Sequence, residues 1–422
     1  MKERVGIVGA GASGLTAAIA AAREGAQVAV FEHMDKAGKK ILATGNGRCN
    51  LSNRKIEAEC FRCGQKDFPM KVIGGFGLEE TLGFFEGLGI VIKERNGCLY
   101  PYSDQAASVR DVLVNEAERL GITIHLSCRI ERIESGEGNG YILHTDQGRI
   151  REDALILAAG SKAAPSTGSD GSGYGLAHSL GHSVIKPLPA LVQLRCQGKL
   201  YRQMAGVRTE AAVRVLADGK VLAEDRGELQ LVEYGLSGIP IFQVSRFAAR
   251  ALDEGRRVMV LVDFMPAWEE GEAFGFLRKR ARILGHKPMA DFFTGMLNPK
   301  LAQPLLKLAG VDLSKKAGEL TGKELHRILQ QLKSYEAMVM SVNPFANAQV
   351  CCGGVDTRQV DPVTMESRIR KGLYFAGEIL DVDGICGGYN LQFAWSSGMI
   401  AGRSAAQACK NRSAAGRKGG SQ

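Results

Sequence analysis

No stretch of this 422-residue chain approaches the ~18–20 consecutive apolar residues that a membrane-spanning helix needs. The most apolar early stretch, Leu15 to Ala22, is short, alanine-rich and preceded by a glycine-rich turn. No secretory leader is expected either. Met1-Lys2-Glu3-Arg4 runs straight into the strand-like Val5-Gly6-Ile7-Val8-Gly9, with no apolar core or cleavage site between them. The chain is therefore expected to be cytoplasmic, with no membrane partner.

Metal-ligand patterns are equally scarce. The seven histidines show no His-Glu-x-x-His or comparable spacing, and Cys60 and Cys63 form a lone C-x-x-C without a second pair. No metal is expected. Ten cysteines in a chain this long are not the dense framework of a small secreted protein. Aromatic residues are only 6% of the chain, and no basic stripe interleaves with them, so no nucleic-acid partner is expected. The formal net charge is +9, but four of those charges (Lys410, Arg412, Arg417 and Lys418) sit in an acid-free, Gly/Ser-rich tail. That tail, residues 409–422, is expected to be disordered.

What is abundant is glycine: 53 residues, roughly an eighth of the chain against about 7% in ordinary proteins. The first cluster lies in a strand–turn–helix–strand pattern: Val5 to Val8, Gly9-x-Gly11-x-x-Gly14, Leu15 to Arg23, then Gln27 to Phe31 ending at Glu32. This spacing is the dinucleotide-binding fingerprint. Gly9 permits the tight turn, Gly11 lets the backbone approach a diphosphate, and Gly14 lets the helix pack on the sheet. The helix N-terminus offers N–H groups to the anion, and Glu32 can accept from both hydroxyls of an adenosine ribose.

Two distant segments separate FAD from NAD as the resident cofactor. Leu155-Ile156-Leu157-Ala158-Ala159-Gly160 is an apolar strand ending in small residues, suited to passing close over a dinucleotide. Gly372 to Phe375 leads through Ala376 into Gly377-Glu378, then Gly384, Gly387 and Gly388, and a helix-compatible run from Asn390. A terminal acid here suits a ribityl chain or phosphate, and the following helix N-terminus suits the flavin edge where negative charge develops on reduction. The glycine-rich segment Gly168 to Gly175 lacks an acid-terminated βαβ context and is taken as a turn at the domain edge. A nicotinamide donor, NAD(P)H, would bind transiently.

The texture changes along the chain. Residues 191–265 alternate as strands with charged turns, and 266–342 are Lys- and Leu-rich with Pro288, Pro299 and Pro304 as punctuation. The glycine-rich α/β texture returns at Asn343. The expected architecture is an α/β, Rossmann-like FAD-binding domain over 1–190 and 343–408. It is interrupted by a β-rich subdomain (191–265) and then a helical one (266–342).

These residues resemble the BaiN-like bacterial FAD-dependent oxidoreductases, almost throughout the chain up to Ala408. The blocks that carry the resemblance are Lys39-Lys40-Ile41-Leu42, Gly45-Asn46-Gly47-Arg48-Cys49-Asn50, Tyr100-Pro101-Tyr102-Ser103 and Gly235-Leu236-Ser237-Gly238. They continue with Cys352-Gly353-Gly354-Val355, Thr364-Met365-Glu366-Ser367, and Gly377-Glu378 through Asp381 and Asp383 to Gly387-Gly388-Tyr389-Asn390-Leu391-Gln392. Val232-Glu233 stand where the family usually has Thr-His, and Cys351 where it usually has Thr. The resemblance implies non-covalent FAD. Similar members are assigned as reductases of 3-oxo bile-acid intermediates with Δ4,6 unsaturation, or as aminoacetone-type amine oxidases.

The expected cofactor-binding set begins with Gly9, Gly11, Ala12, Ser13, Gly14, Glu32, His33 and Lys40. It continues with Gly45, Asn46, Gly47, Arg48, Cys49, Asn50, Ile130, Ala159 and Gly160, and ends with Gly377, Glu378, Gly388, Asn390 and Leu391. Reduction of an enone needs hydride at the β-carbon and a proton donor; Tyr389 and Tyr234 are the candidates. The leading expectation is an NAD(P)H-fuelled reductase of a C=C bond conjugated to a ketone in a steroid or bile-acid-like small molecule. An FAD oxidase of a small amine such as aminoacetone, and a non-enzymatic flavin-binding redox sensor, stay open beside it.

Overall fold

The computed structural model describes residues 3–136 and 140–419. Its contacts divide the chain into two compact units, Met1–Pro187 with Val350–Gln422, and Leu188–Gln349.

The first unit is built on a five-stranded sheet whose strands all run parallel. Its order is Leu373–Phe375, Ala154–Leu157, Arg4–Val8, Gln27–Phe31 and Thr123–His125. Ala154–Leu157 is buried along its whole length, as an inner strand covered on both faces must be. The register sets Phe375 beside Leu157, Leu157 beside Val8, and Val8 beside Phe31. Four strands thus end in one row, and the segments that follow them (Gly9, Glu32, Ala158-Ala159 and Ala376-Gly377) emerge along one edge. The carboxyl edge of a parallel sheet is where such folds bind ligands.

Helix Ala12–Arg23 follows the glycine turn with its residues from Ser13 to Ala21 buried. Against it lies the last helix, Tyr389–Gly419, and the two backbones nearly touch. A Cβ on Gly402 would lie 2.2 Å from the Ala17 carbonyl oxygen. That helix also corrects the expectation of a disordered tail: it continues to Gly419, because Cys409 is buried and Arg412 Nη2 donates to the Asp153 carbonyl at 2.9 Å. Residues 420–422 lie outside the described residues. Small sheets of two or three strands complete the unit. One of them joins Ser52–Asn53, Cys98–Pro101 and Ile92–Arg95.

The second unit is a closed six-stranded barrel. Its order is Leu194–Cys196, Gly235–Gly238, Lys220–Val232, Arg208–Ala217, Val258–Asp263 and Tyr335–Val342. Ala211, Val213 and Val215 alternate inward, as do Val258, Val260 and Val262. The expected split into a β-rich and then a helical subdomain does not hold. Tyr335–Val342 lies after the helices yet pairs with Val258–Asp263 and with Leu194–Cys196, closing the barrel. Helices Glu270–Ile283, Pro299–Leu308 and Gly322–Lys333 bury Leu277, Leu301, Leu305, Ile328 and Leu332 in the same core as the strands.

Candidate cofactor site

The glycine turn is held by contacts that a larger residue would break. Gly9 has φ +102°, and its N–H donates to the Phe31 carbonyl at 2.8 Å. A Cβ on Gly14 would fall 1.9 Å from the Gly9 carbonyl oxygen. Gly11 differs: a Cβ there would meet nothing within 4 Å. It borders open space just where the helix begins without a side-chain cap, so the first-turn N–H groups face that space.

Beside the turn is a cleft lined by Val8, Gly9, Phe31, Glu32, His33, Cys128, Arg129, Ile130, Ala159, Gly168, Ser172 and Leu176. Of the expected cofactor-binding set, Gly9, Glu32, His33, Ile130 and Ala159 line it. Glu32 is 9% exposed; its Oε2 accepts from Ala10 N and its Oε1 from Met34 N, both at 2.9 Å. A carboxylate has about four acceptor positions, so two remain for ligand hydroxyls. His33 Nδ1 lies 3.5 Å from Glu32 Oε1, and Asp170 receives Arg129 Nη1 at 3.2 Å. Burial alone would raise the Asp170 carboxyl, but hydrogen bonds from Ser172 and Arg129 outweigh it and hold it below its usual range.

Arg129, Gly168 and Ser172 were not anticipated. The Gly168–Gly175 segment, expected to be an edge turn, forms part of the cleft wall and then helix Ser172–Ser179. Its signal was present as glycines at unusual spacing, but only the fold brings it to Glu32: a Cβ on Gly168 would lie 3.7 Å from Glu32 Oε1.

Further along the edge, Lys40 Nζ meets Glu378 Oε2 at 2.5 Å, and Ser161 Oγ donates to the same oxygen at 3.2 Å. Ser13 spends its hydroxyl on the Ala376 carbonyl at 3.2 Å, and Gly377 N donates to Ser397 Oγ at 2.9 Å. Ser13 is thus a structural side chain that leaves only its backbone for a ligand. Gly160 takes φ +73° beside Ser169.

The third group is the loop Gly45–Asn50 and its neighbour Gly384–Asn390. Gly45, Asn46, Gly47 and Cys49 all adopt left-handed backbone, and the Arg48 side chain is exposed. Burial pushes the Cys49 thiol up to about 12 despite a hydrogen bond with Thr44, so it is a neutral core group. Asn50 Oδ1 is buried without a partner and faces Gly388, whose Cβ would lie 2.8 Å from it. Asn390 belongs to the expected cofactor-binding set; its side chain accepts from Gly384 N at 2.7 Å and donates to Gly384 O at 2.9 Å. Leu391 packs against the core.

The two proposed proton donors fare differently. Tyr389 is buried, stacks edge-on against Phe61 at 5.9 Å, and has its phenol pushed up by burial and by Cys60. This is a packing role. In the second unit Tyr234 Oη accepts from Asn343 Nδ2 at 2.9 Å, and the Arg195 guanidinium lies 4.8 Å from its ring centre.

An extended ligand with ribose hydroxyls, a diphosphate, a polyol and a polar ring matches this edge. Acceptors stand at Glu32, uncapped N–H groups beside Gly11, a charged pair at Lys40 and Glu378, and an orphaned acceptor at Asn50. The residues present therefore fit FAD.

The chain is 45% identical over 407 residues to a 3-dehydro-bile acid delta(4,6)-reductase from Clostridium scindens, spanning 96% of this chain and 99% of that protein. It is 28% identical over 396 residues to a ribosomal RNA dihydrouridine synthase from Escherichia coli, spanning 93% and 95%. Among solved structures, a 3-ketosteroid-delta4-(5alpha)-dehydrogenase from Rhodococcus jostii is similar at TM-score 0.46 and 16% identity, covering 96% of this chain and 97% of that one. No helix among the described residues is long and apolar enough to cross a membrane. The model of the HI0933-like protein Rossmann domain matches residues 3–404, so the chain belongs to that family and is an FAD-dependent oxidoreductase.

Proposed function

We propose that the protein reduces a carbon–carbon double bond conjugated to a ketone in a 3-oxo-Δ4,6 bile acid or similar steroid, with NAD(P)H as the transient electron donor. The observation that carries this reading is the 45% identity, across nearly all of both chains, to a reductase named for that substrate. The more distant dihydrouridine synthase supports the reaction class, since dihydrouridine is uridine saturated at a double bond next to a carbonyl.

FAD, when bound and reduced, would supply hydride from its N5. Glu32 would hold the adenosine ribose, and the helix start at Gly11–Gly14 the diphosphate. Lys40 and Glu378 would hold the polyol segment, leaving Gly45–Asn50 and Gly388 around the ring. Anaerobic reduction of the purified flavoprotein with NADH or NADPH, followed by a 3-oxo-4,6-diene bile acid, tests the reading: the bile acid should reoxidise the flavin. Reduction of the oxidised flavin by aminoacetone, with no response to the bile acid, would establish an amine oxidase instead. Reoxidation by ribosomal RNA alone would move the substrate to uridine.

A further inference from the structure

The strand Cys98–Pro101 alternates strictly, with Leu99 and Pro101 buried and Cys98 and Tyr100 half-buried on the opposite face. That face looks at both glycine loops of the candidate flavin site. Tyr100 Cε1 lies 3.8 Å from the position a Gly45 Cβ would take, at the head of the Gly45–Asn50 loop. Cys98 Sγ is 4.0 Å from the Gly387 carbonyl oxygen, which also accepts from Asn53 Nδ2 at 3.0 Å. The buried, unpartnered Asn50 Oδ1 sits against Gly388, between the two loops.

Nearby phenols are poorly placed for proton transfer. Tyr389 is closed off against Phe61, and Tyr102 is 69% exposed with Lys93 5.4 Å from its ring centre. Tyr100 is neither sealed nor fully solvated, and its hydroxyl donates to the Cys98 sulfur.

We propose that Tyr100 is the proton donor of the reduction, delivering its phenolic proton to the carbon α to the ketone. This rests on the reductase reading above. The β-carbon would take its hydride from FAD reduced beforehand by the nicotinamide donor, which would supply both electrons. The C=C π bond is replaced by two C–H bonds, leaving a C–C single bond, and the Tyr100 phenolate recovers its proton from water. Burial, and the Cys98 sulfur that accepts from the hydroxyl, favour the protonated phenol, while the Arg48 and Arg95 cations pull its pKa the other way.

The test uses the full chain loaded with FAD. Tyr100→Phe should bind FAD with unchanged affinity by flavin fluorescence and be reduced normally by dithionite. Its reoxidation by the 3-oxo-4,6-diene should be about 10²–10⁴-fold slower, the usual contribution of general acid catalysis. In the unmodified protein, reoxidation should fall on an alkaline limb. Arg95→Gln removes a cation that favours the phenolate and should move that limb to higher pH, a shift that a merely structural tyrosine would not cause. A Tyr100→Phe rate within threefold of an active wild type, or an alkaline limb indifferent to Arg95→Gln, overturns the assignment of the donor alone. Loss of FAD binding in Tyr100→Phe overturns it in favour of a cofactor-holding role. A wild-type protein that no conjugated ketone reoxidises overturns the reductase reading, and the donor with it.

Discussion

Lys40 and Glu378, 338 positions apart in the chain, form an ion pair of 2.5 Å at the edge of the parallel sheet, with each side chain about one-fifth exposed. Ser161 joins them from a third segment. Three distant segments of the chain thus meet at one carboxylate. The contact organises the middle of the cofactor edge, between the Glu32 cleft and the Gly45–Asn50 loop.

Lys40→Ala leaves the Glu378 carboxylate half-buried with only Ser161. Charge-assisted hydrogen bonds contribute about 1.5–3 kcal/mol, so FAD affinity should weaken about 10–100-fold. A flavin fluorescence titration measures it. Unchanged affinity would remove the pair from the cofactor site.

Glu32→Ala deprives Ala10 N and Met34 N of their acceptor as well as removing the carboxylate proposed to hold the ribose. Unsatisfied buried donors cost about 1–3 kcal/mol. The cofactor-free protein should therefore melt at lower temperature, and FAD binding should fall further than with Lys40→Ala. Glu32→Gln keeps one acceptor oxygen and should recover part of the stability without restoring full affinity.

Gly402→Ala puts a methyl 2.2 Å from the Ala17 carbonyl oxygen, in a contact between two buried helix backbones. Overpacking of this kind costs about 1–3 kcal/mol. Denaturant unfolding should shift by that amount, with FAD affinity changed much less than by Glu32→Ala.

Glu152 supplies a pH test. It is 2% exposed, its Oε2 has no partner, and its side chain packs on Gly6; burial pushes its carboxyl up to about 7. The folded pKa lies above the ordinary value of 4.5. This group's stability contribution is therefore complete below about pH 4.5 and is lost as pH rises through 7. At about 1.36 kcal/mol per unit, the loss is at most on the order of 3 kcal/mol. Glu152→Gln should flatten the stability profile between pH 5 and 8 and stabilise the protein at pH 8. A profile as steep as that of the wild type would show that Glu152 is not the titrating group.

Tyr389→Phe removes a hydroxyl that meets Cys60 rather than open space. Stability should fall by about 1 kcal/mol, with reoxidation of reduced flavin by substrate nearly unchanged. A loss of reoxidation comparable to that expected for Tyr100→Phe would return Tyr389 to the chemistry.

Local rules were enough to determine the turn at Gly9–Gly14, the neighbouring strands and the acid at Glu32. Glycine spacing, hydrophobic periodicity and a strand-terminal acid are encoded within about 30 residues, the size of a βαβ unit. The tertiary structure alone decided the rest. It set Arg129, Gly168 and Ser172 around Glu32, joined Lys40 to Glu378, and spent the side chains of Ser13 and Asn390 on neighbouring backbone. It also turned Tyr335–Val342 into the strand that closes a barrel, and faced Tyr100 toward two glycine loops. These outcomes depend on which parallel strands lie side by side and which strand edges remain unpaired, and such long-range pairings leave no local period in the sequence.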